Sequence, residues 1–175
     1  MKSEGQLKNG KREGLWTYWH ENGQKSREGE YKNGVKEGHW TVWYEDGKKL
    51  SEGEFKDGEN NGLWTYWREN GKKSFEVEYV NGKMHGKRTT WHKNGQKKSE
   101  GEYVNGKRHG KSVHWNRHGQ KVGEGKYVKH KKHGKWTYWY ENGNKSDEMH
   151  YSEGKQDGPY ARWYMTGQMR FQGVY

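Results

Sequence analysis

An all-β chain, an elongated and curved single-layer antiparallel meander of tandem 24-residue β-hairpin repeats, is the fold class that the sequence predicts. Three observations predict it. Glycine returns every 24 residues, at 14, 38, 62, 86, 110, 134 and 158. A tryptophan stands five places after each, at Trp19, Trp43, Trp67, Trp91, Trp115, Trp139 and Trp163. Asn-Gly pairs such as Asn22-Gly23 and Asn33-Gly34 separate short runs rich in β-forming residues, a strong hairpin signal because both residue types tolerate positive φ.

The period divides the chain into a half repeat (1–13), six full repeats (14–37, 38–61, 62–85, 86–109, 110–133, 134–157) and a partial repeat (158–175), read together as a single repeat domain over 1–175. A second glycine, Gly23 in the first repeat, recurs through Gly167, and an aromatic recurs from Tyr31 through Phe55 and Tyr79 to Tyr175. Such self-similarity is the signature of a repeat architecture. In each unit one strand, here Leu15 to Trp19, meets a turn, and the return strand Lys25 to Tyr31 closes at the next turn. Helix is disfavoured, because glycine is too frequent and no 3.6-residue apolar stripe appears. The expectation is 14 or 15 strands, roughly 65–70 Å of sheet at about 4.8 Å per strand, long enough to twist and curl.

Treating Asn22-Gly23 as a two-residue loop sets Trp16 opposite Gly29 and Thr17 opposite Glu28. A ring over a cross-strand glycine compensates for the side chain that glycine lacks. Trp16 and Trp19 lie three residues apart, so strict alternation puts them on opposite faces. Either a bulge re-aims one of them, or both faces carry a tryptophan ladder. The column from Trp19 to Trp163 is taken as the structural ladder.

The composition narrows the function. Of 175 residues, 26% are hydrophobic and 33% charged, with net charge +11, a balance that alone suggests disorder. The 11 Trp and 13 Tyr oppose that reading by supplying large buried areas. The absence of cysteine excludes disulfides and thiolate metal sites. No apolar run approaches the roughly 18–20 residues of a membrane span, and residues 1–10 lack a secretory signal. A cytoplasmic location is the expectation.

The run Glu28-Gly29-Glu30-Tyr31-Lys32-Asn33-Gly34, followed by Gly38-His39-Trp40, resembles the MORN repeat, its bacterial variant most closely. The likeness covers essentially the whole chain. It departs at Val77 and Met149, in the second glycine's place, and at Lys129-His130, where Asn-Gly belongs. The resemblance implies a curved single-layer sheet and roles in protein association, scaffolding or contact with acidic phospholipids. Some bacterial members carry an antitoxin label, which names no chemistry.

Charge is concentrated in the middle. Residues 83–135 hold 16 Lys/Arg and 3 Glu, a net +13, whereas 1–82 (14 against 15) and 136–175 (4 against 5) each carry −1. Seven of ten histidines share this block. There the third place of the repeat, Trp16, Trp40, Trp64, Trp136 or Tyr160 elsewhere, becomes Arg88 and Ser112, and two places on Tyr18, Tyr66 and Tyr138 give way to Thr90 and His114. The candidate binding residues are Lys87, Arg88, His92, Lys97, Lys98, Arg108, Lys111, His114, Arg117, Lys131 and Lys132. Clustered cations of this kind bind phosphates through counterion release, and Trp91 and Trp115 could add stacking on single strands. The competing reading is a solvated patch that maintains solubility and discourages edge pairing.

Catalysis is not expected. His85, His109 and His133 recur two strands apart, about 9.6 Å, too far to share a zinc with bonds of about 2.0–2.1 Å. Glu-x-Glu recurs at 28/30, 52/54, 76/78 and 100/102 beside lysines, which favours cross-strand charge pairing over a unique catalytic pair. Gly123-Glu124-Gly125 lacks the following helix of a dinucleotide fingerprint, and Asn144-Lys145-Ser146 matches a glycosylation sequon. Neither cofactor nor metal is expected. The leading functional expectation is a non-catalytic interaction or scaffold module for a protein partner. The alternatives are a binder of nucleic acid or anionic phospholipid through 83–135, and an antitoxin-like neutraliser of a partner protein. End-to-end self-association is a further expectation.

Overall fold

The computed structural model describes residues 2–175. Fifteen antiparallel strands follow in chain order: β1 (Ser3–Lys8), β2 (Lys11–Trp19), β3 (Lys25–Lys32), β4 (Val35–Trp43), β5 (Lys49–Lys56), β6 (Glu59–Trp67), β7 (Lys73–Val80) and β8 (Lys83–Trp91). They continue as β9 (Lys97–Val104), β10 (Lys107–Trp115), β11 (Lys121–Val128), β12 (Lys131–Trp139), β13 (Lys145–Ser152), β14 (Lys155–Trp163) and β15 (Met169–Val174). Two compact units divide the chain, Met1–His85 and Gly86–Tyr175. Each is an open, single-layer antiparallel meander of tandem hairpins, as the period predicts.

The two turns of a repeat differ. Asn33 and Gly34 both take positive φ, 52° and 87°, the tight type I′ geometry. The Asn22-Gly23 turn does not: Gly23 alone is positive there, and the loop runs from His20 to Gln24. It is closed by His20 N–H to the Gln24 carbonyl (2.8 Å) and Gly23 N–H to the His20 carbonyl (3.1 Å). The expectation of a two-residue loop is corrected accordingly. Its register nevertheless holds, with Trp16 opposite Gly29 and Thr17 opposite Glu28, because the register shifts between Tyr18 and Trp19. Trp19 faces Lys25 and Tyr18 faces Arg27, so Ser26 is the extra residue that absorbs the longer loop.

The core of the first unit lies on one face. Trp16, Trp40 and Trp64 are buried, Trp40 to 1% exposure, together with Tyr18, Tyr31 and Val77. Tyr31 meets Trp40 edge-on at 5.1 Å and Phe55 meets Trp64 at 5.0 Å. Each indole donates to a backbone carbonyl ten residues earlier: Trp16 to Gln6, Trp40 to Glu30, Trp64 to Glu54. The ring over Gly29 is that of Trp40, not Trp16. A Cβ on Gly29 would lie 2.2 Å from the Trp40 ring, and one on Gly5 would lie 2.3 Å from Trp16. Each of these core indoles therefore reaches back over the glycine of the strand before it.

The Trp19 column is a second ladder of another kind. These tryptophans are only half-buried, and lysine ammoniums stand over them: Lys2 over Trp19 at 5.4 Å, Lys25 over Trp43 at 5.9 Å, Lys49 over Trp67 at 5.8 Å. The buried core belongs instead to the third-place tryptophans. Both faces carry tryptophan, and the bulge lies in the return strand.

Candidate binding site

Within the second unit, alternation along β9 to β13 sorts the side chains onto two faces. Trp136 is buried to 1% exposure, packed edge-on against Tyr127 at 5.0 Å and stacked on Tyr138 at 6.1 Å, and its indole donates to the Lys126 carbonyl. The cations of this aromatic face bind its phenols. Arg108 donates through Nε to Tyr103 Oη (3.2 Å) and through Nη1 to Tyr127 Oη (3.4 Å). Lys132 donates to Tyr138 Oη at 2.6 Å and lies 4.6 Å from the Trp136 ring centre. The Tyr103 hydrogen bond raises the Arg108 pKa despite burial. For Lys132, burial lowers the pKa, but the Tyr138 bond and neighbouring phenols outweigh it and the net shift is upward.

His114 stands where three other repeats carry Tyr18, Tyr66 and Tyr138. Its Nε2 is 3.2 Å from Ser112 Oγ and its ring is 6.4 Å from Trp136. Burial, then Arg108, Lys132 and Lys98, lower its pKa, so the neutral imidazole is the form that suits this face. Beside it a cavity of about 20 Å³ is lined by Arg88, Ser99, Gly101, Tyr103, Arg108, Ser112 and Tyr127 among others.

The opposite face is one of paired charge. Glu100 accepts from Lys97 at 2.9 Å and from Lys87 at 3.0 Å, and Glu124 pairs with Lys121 at 3.0 Å and Lys111 at 4.0 Å. Burial raises the Glu100 pKa, but the two lysines pull it below the usual value. Lys97 also stands 5.8 Å from the Trp115 ring centre and Lys121 5.2 Å from that of Trp139. An open depression on this face is lined by Lys87, Lys97, Glu100, Lys111, Val113 and Trp115.

The sequence-defined basic patch is therefore not one surface. Arg88, Arg108, His114 and Lys132 share the aromatic face, while Lys87, Lys97 and Lys111 lie on the opposite one with glutamates. The rest are on turns and rims. His92 Nε2 donates to the Trp115 carbonyl (2.8 Å), Arg117 is exposed in the loop before β11, Lys98 is exposed at the bulge, and Lys131 pairs with Glu153 at 2.8 Å. Sequence reasoning missed Gly101, Tyr103 and Tyr127 as partners of the substituted places. Comparing the glycine column with the tryptophan column eleven residues on would have found Gly101, and the aromatic column the two tyrosines. Among the described residues, no group of three or more His, Cys, Asp or Glu side chains is placed to hold a metal ion. Nor, among the described residues, is any helix long and apolar enough to cross a membrane.

Tandem hairpins stacked edge to edge, with an aromatic core one ring deep and chemistry displayed on open faces, define a β-repeat protein of the binding or scaffold class. The pattern of the MORN repeat variant matches residues 12–33, 36–57, 60–81, 84–105 and 132–153, more than half of the sequence, and the chain belongs to that family. The matched segments leave 106–131 uncovered, the stretch that contains Ser112, His114 and Lys129-His130. No curated protein matches the chain.

Proposed function

We propose that this protein is a non-catalytic interaction module that presents its lysine–glutamate–tryptophan face to a protein partner. The observation that carries the reading is a triplet repeated along that face. Lys97 pairs with Glu100 and covers Trp115; Lys121 pairs with Glu124 and covers Trp139; Lys145 pairs with Glu148 and covers Trp163. A half-buried indole rimmed by ion pairs combines a rigid apolar anchor with a hydratable rim, the composition of protein-binding hot spots. A glutamate in every repeat favours a partner of mixed charge over a uniform polyanion.

The test is recovery of one defined partner by photo-crosslinkers placed beside Trp115 and Trp139. A partner captured by the parent and lost in Trp115→Ala/Trp139→Ala, with the β-sheet circular dichroism kept, supports the proposal. Undiminished capture by the variant overturns it.

One observation favours a second reading, a polyanion binder: residues 83–135 carry the net +13 noted above. Binding of single-stranded DNA, RNA or anionic liposomes at low salt would then weaken steeply at physiological salt. It would vanish when Lys97, Lys98, Arg108, Lys131 and Lys132 are changed to Glu. Binding unchanged by those substitutions removes this reading.

A further inference from the structure

The repeat supplies its own templates for what belongs in the Ser112 cavity. Seven glycine-column and tryptophan-column pairs, each eleven residues apart, run Gly5/Trp16, Gly29/Trp40, Gly53/Trp64, Val77/Arg88, Gly101/Ser112, Gly125/Trp136 and Met149/Tyr160. Where tryptophan is kept, glycine is kept, because the ring needs the space of a Cβ. In two of the three places where tryptophan is lost, a large side chain replaces the glycine, and Val77 and Met149 are both buried. Gly101/Ser112 keeps the glycine without a ring. A Cβ there would meet nothing nearer than Ser112 Oγ at 3.5 Å, whereas one on Gly125 would lie 2.2 Å from Trp136.

The other walls of the indole box remain, one of them as histidine in place of tyrosine. Tyr103 occupies the place from which Tyr31, Phe55 and Tyr127 meet an indole edge-on at 5.0–5.1 Å. Arg108 occupies the place from which Arg12, Lys36 and Lys132 cover the ring at 4.9, 4.5 and 4.6 Å. His114 takes the place of Tyr18, Tyr66 and Tyr138, whose rings lie 6.0–6.2 Å from the indole at shallow angles. The carbonyl ten residues before the missing ring, the indole N–H acceptor in four other repeats, is that of Glu102, and Glu102 lines the cavity.

We propose that this cavity is a docking site for an indole ring supplied from outside the chain, the tryptophan side chain of a partner protein. The guanidinium groups of Arg88 and Arg108, which line it, favour a tryptophan flanked by acidic residues. The cavity is smaller than an indole, so entry of the ring requires the long Arg88 side chain, which forms one wall, to move aside. The source of the ring rests on the protein-partner reading above; the preference for indole does not.

The experiment is a two-dimensional amide NMR titration of the isotope-labelled chain with three probes: indole, the capped peptide Asp-Trp-Asp, and the capped peptide Asp-Leu-Asp. Indole and the tryptophan peptide are expected to shift the amides of Gly101, Glu102 and Ser112, and the leucine peptide to leave them in place. Two variants fill the box from within: Ser112→Trp, which restores the repeat, and Gly101→Val, which copies the Val77 solution. Both should abolish the shifts, and Ser112→Trp should raise the thermal midpoint. Absence of indole shifts in the parent overturns the proposal, as do equal shifts from the leucine peptide or shifts that survive in both variants. Shifts from indole but not from the tryptophan peptide overturn the partner side chain as the source. A failed partner capture at Trp115 and Trp139, on the other face, leaves the indole arm standing, so the two readings fail separately.

Discussion

Changing Gly29 to Val in the first unit places a side chain where the Trp40 ring now lies. The added Cβ would stand 2.2 Å from that ring, so the indole must leave. Trp40 is 1% exposed, donates to the Glu30 carbonyl at 3.1 Å, and packs edge-on against Tyr31 and Phe55. Expelling it forfeits much of what truncating a buried tryptophan forfeits, about 3–5 kcal/mol. Trp40→Arg alone costs about the same, because it empties the space over Gly29. Independent costs would sum to about 6–10 kcal/mol. The pair made together reproduces Val77 and Arg88, so the valine occupies space that the indole has vacated, and the double variant should lose only about 3–5 kcal/mol. The assay is a double-mutant cycle in urea, followed by circular dichroism and tryptophan fluorescence. Hydrogen exchange at β3 and β4 should accompany it, because repeat arrays can lose all-or-none unfolding. Additive costs would refute the idea that the glycine and tryptophan columns are one packing unit.

Three other outcomes follow from the geometry. His114 has a lowered pKa from burial and nearby cations, so the fold prefers it neutral; stability is intact above the unfolded value of about 6.5 and declines as pH falls below it. His114→Tyr should flatten the fall in thermal midpoint between neutral and mildly acid pH, and parallel curves for parent and variant would remove that cause. Lys129 and His130 take φ of 47° and 74°, the geometry Asn-Gly adopts elsewhere, so His130→Gly should add about 1 kcal/mol in urea unfolding; a loss would mean that the imidazole's contact with the Arg108 N–H, 3.3 Å, outweighs the relief. Glu100→Gln should cost no more than about 1 kcal/mol, because Lys87 and Lys97 are about half exposed and exposed pairs contribute little; a larger loss in thermal denaturation would show that the paired face is structural.

Much of this was legible from spacing. The period located every hairpin, and the turn placed at Asn22-Gly23 set Trp16 against Gly29 and Thr17 against Glu28. What spacing could not show was depth. Trp16 and Trp19 look equivalent as letters, yet one is core and the other is a half-buried rim under lysine, a difference fixed by which face the Ser26 bulge and the glycine column leave open. The turn at Asn22-Gly23 misled for a related reason: a two-residue loop and a five-residue loop with one bulged residue give the same register at Trp16. The basic patch was legible as composition but not as a surface, since Lys87 and Arg88 are neighbours in sequence and opposites in space. The cavity was half visible, in Ser112 and His114 as departures from the repeat, and its meaning emerged only when Gly101 was seen to keep its clearance.

The backward reach of each indole gives the fold a direction in time. On a ribosome, a strand such as β3 emerges with Gly29 bare, and its cover arrives only when Trp40, eleven residues later, has cleared the exit. Each new hairpin thus seals the one made before it and leaves its own floor open for the next. Chain growth and core completion run in step, a little under half a repeat out of phase. At Gly101 the nascent chain never delivers the lid, and that position stays in the condition its neighbours pass through only during synthesis.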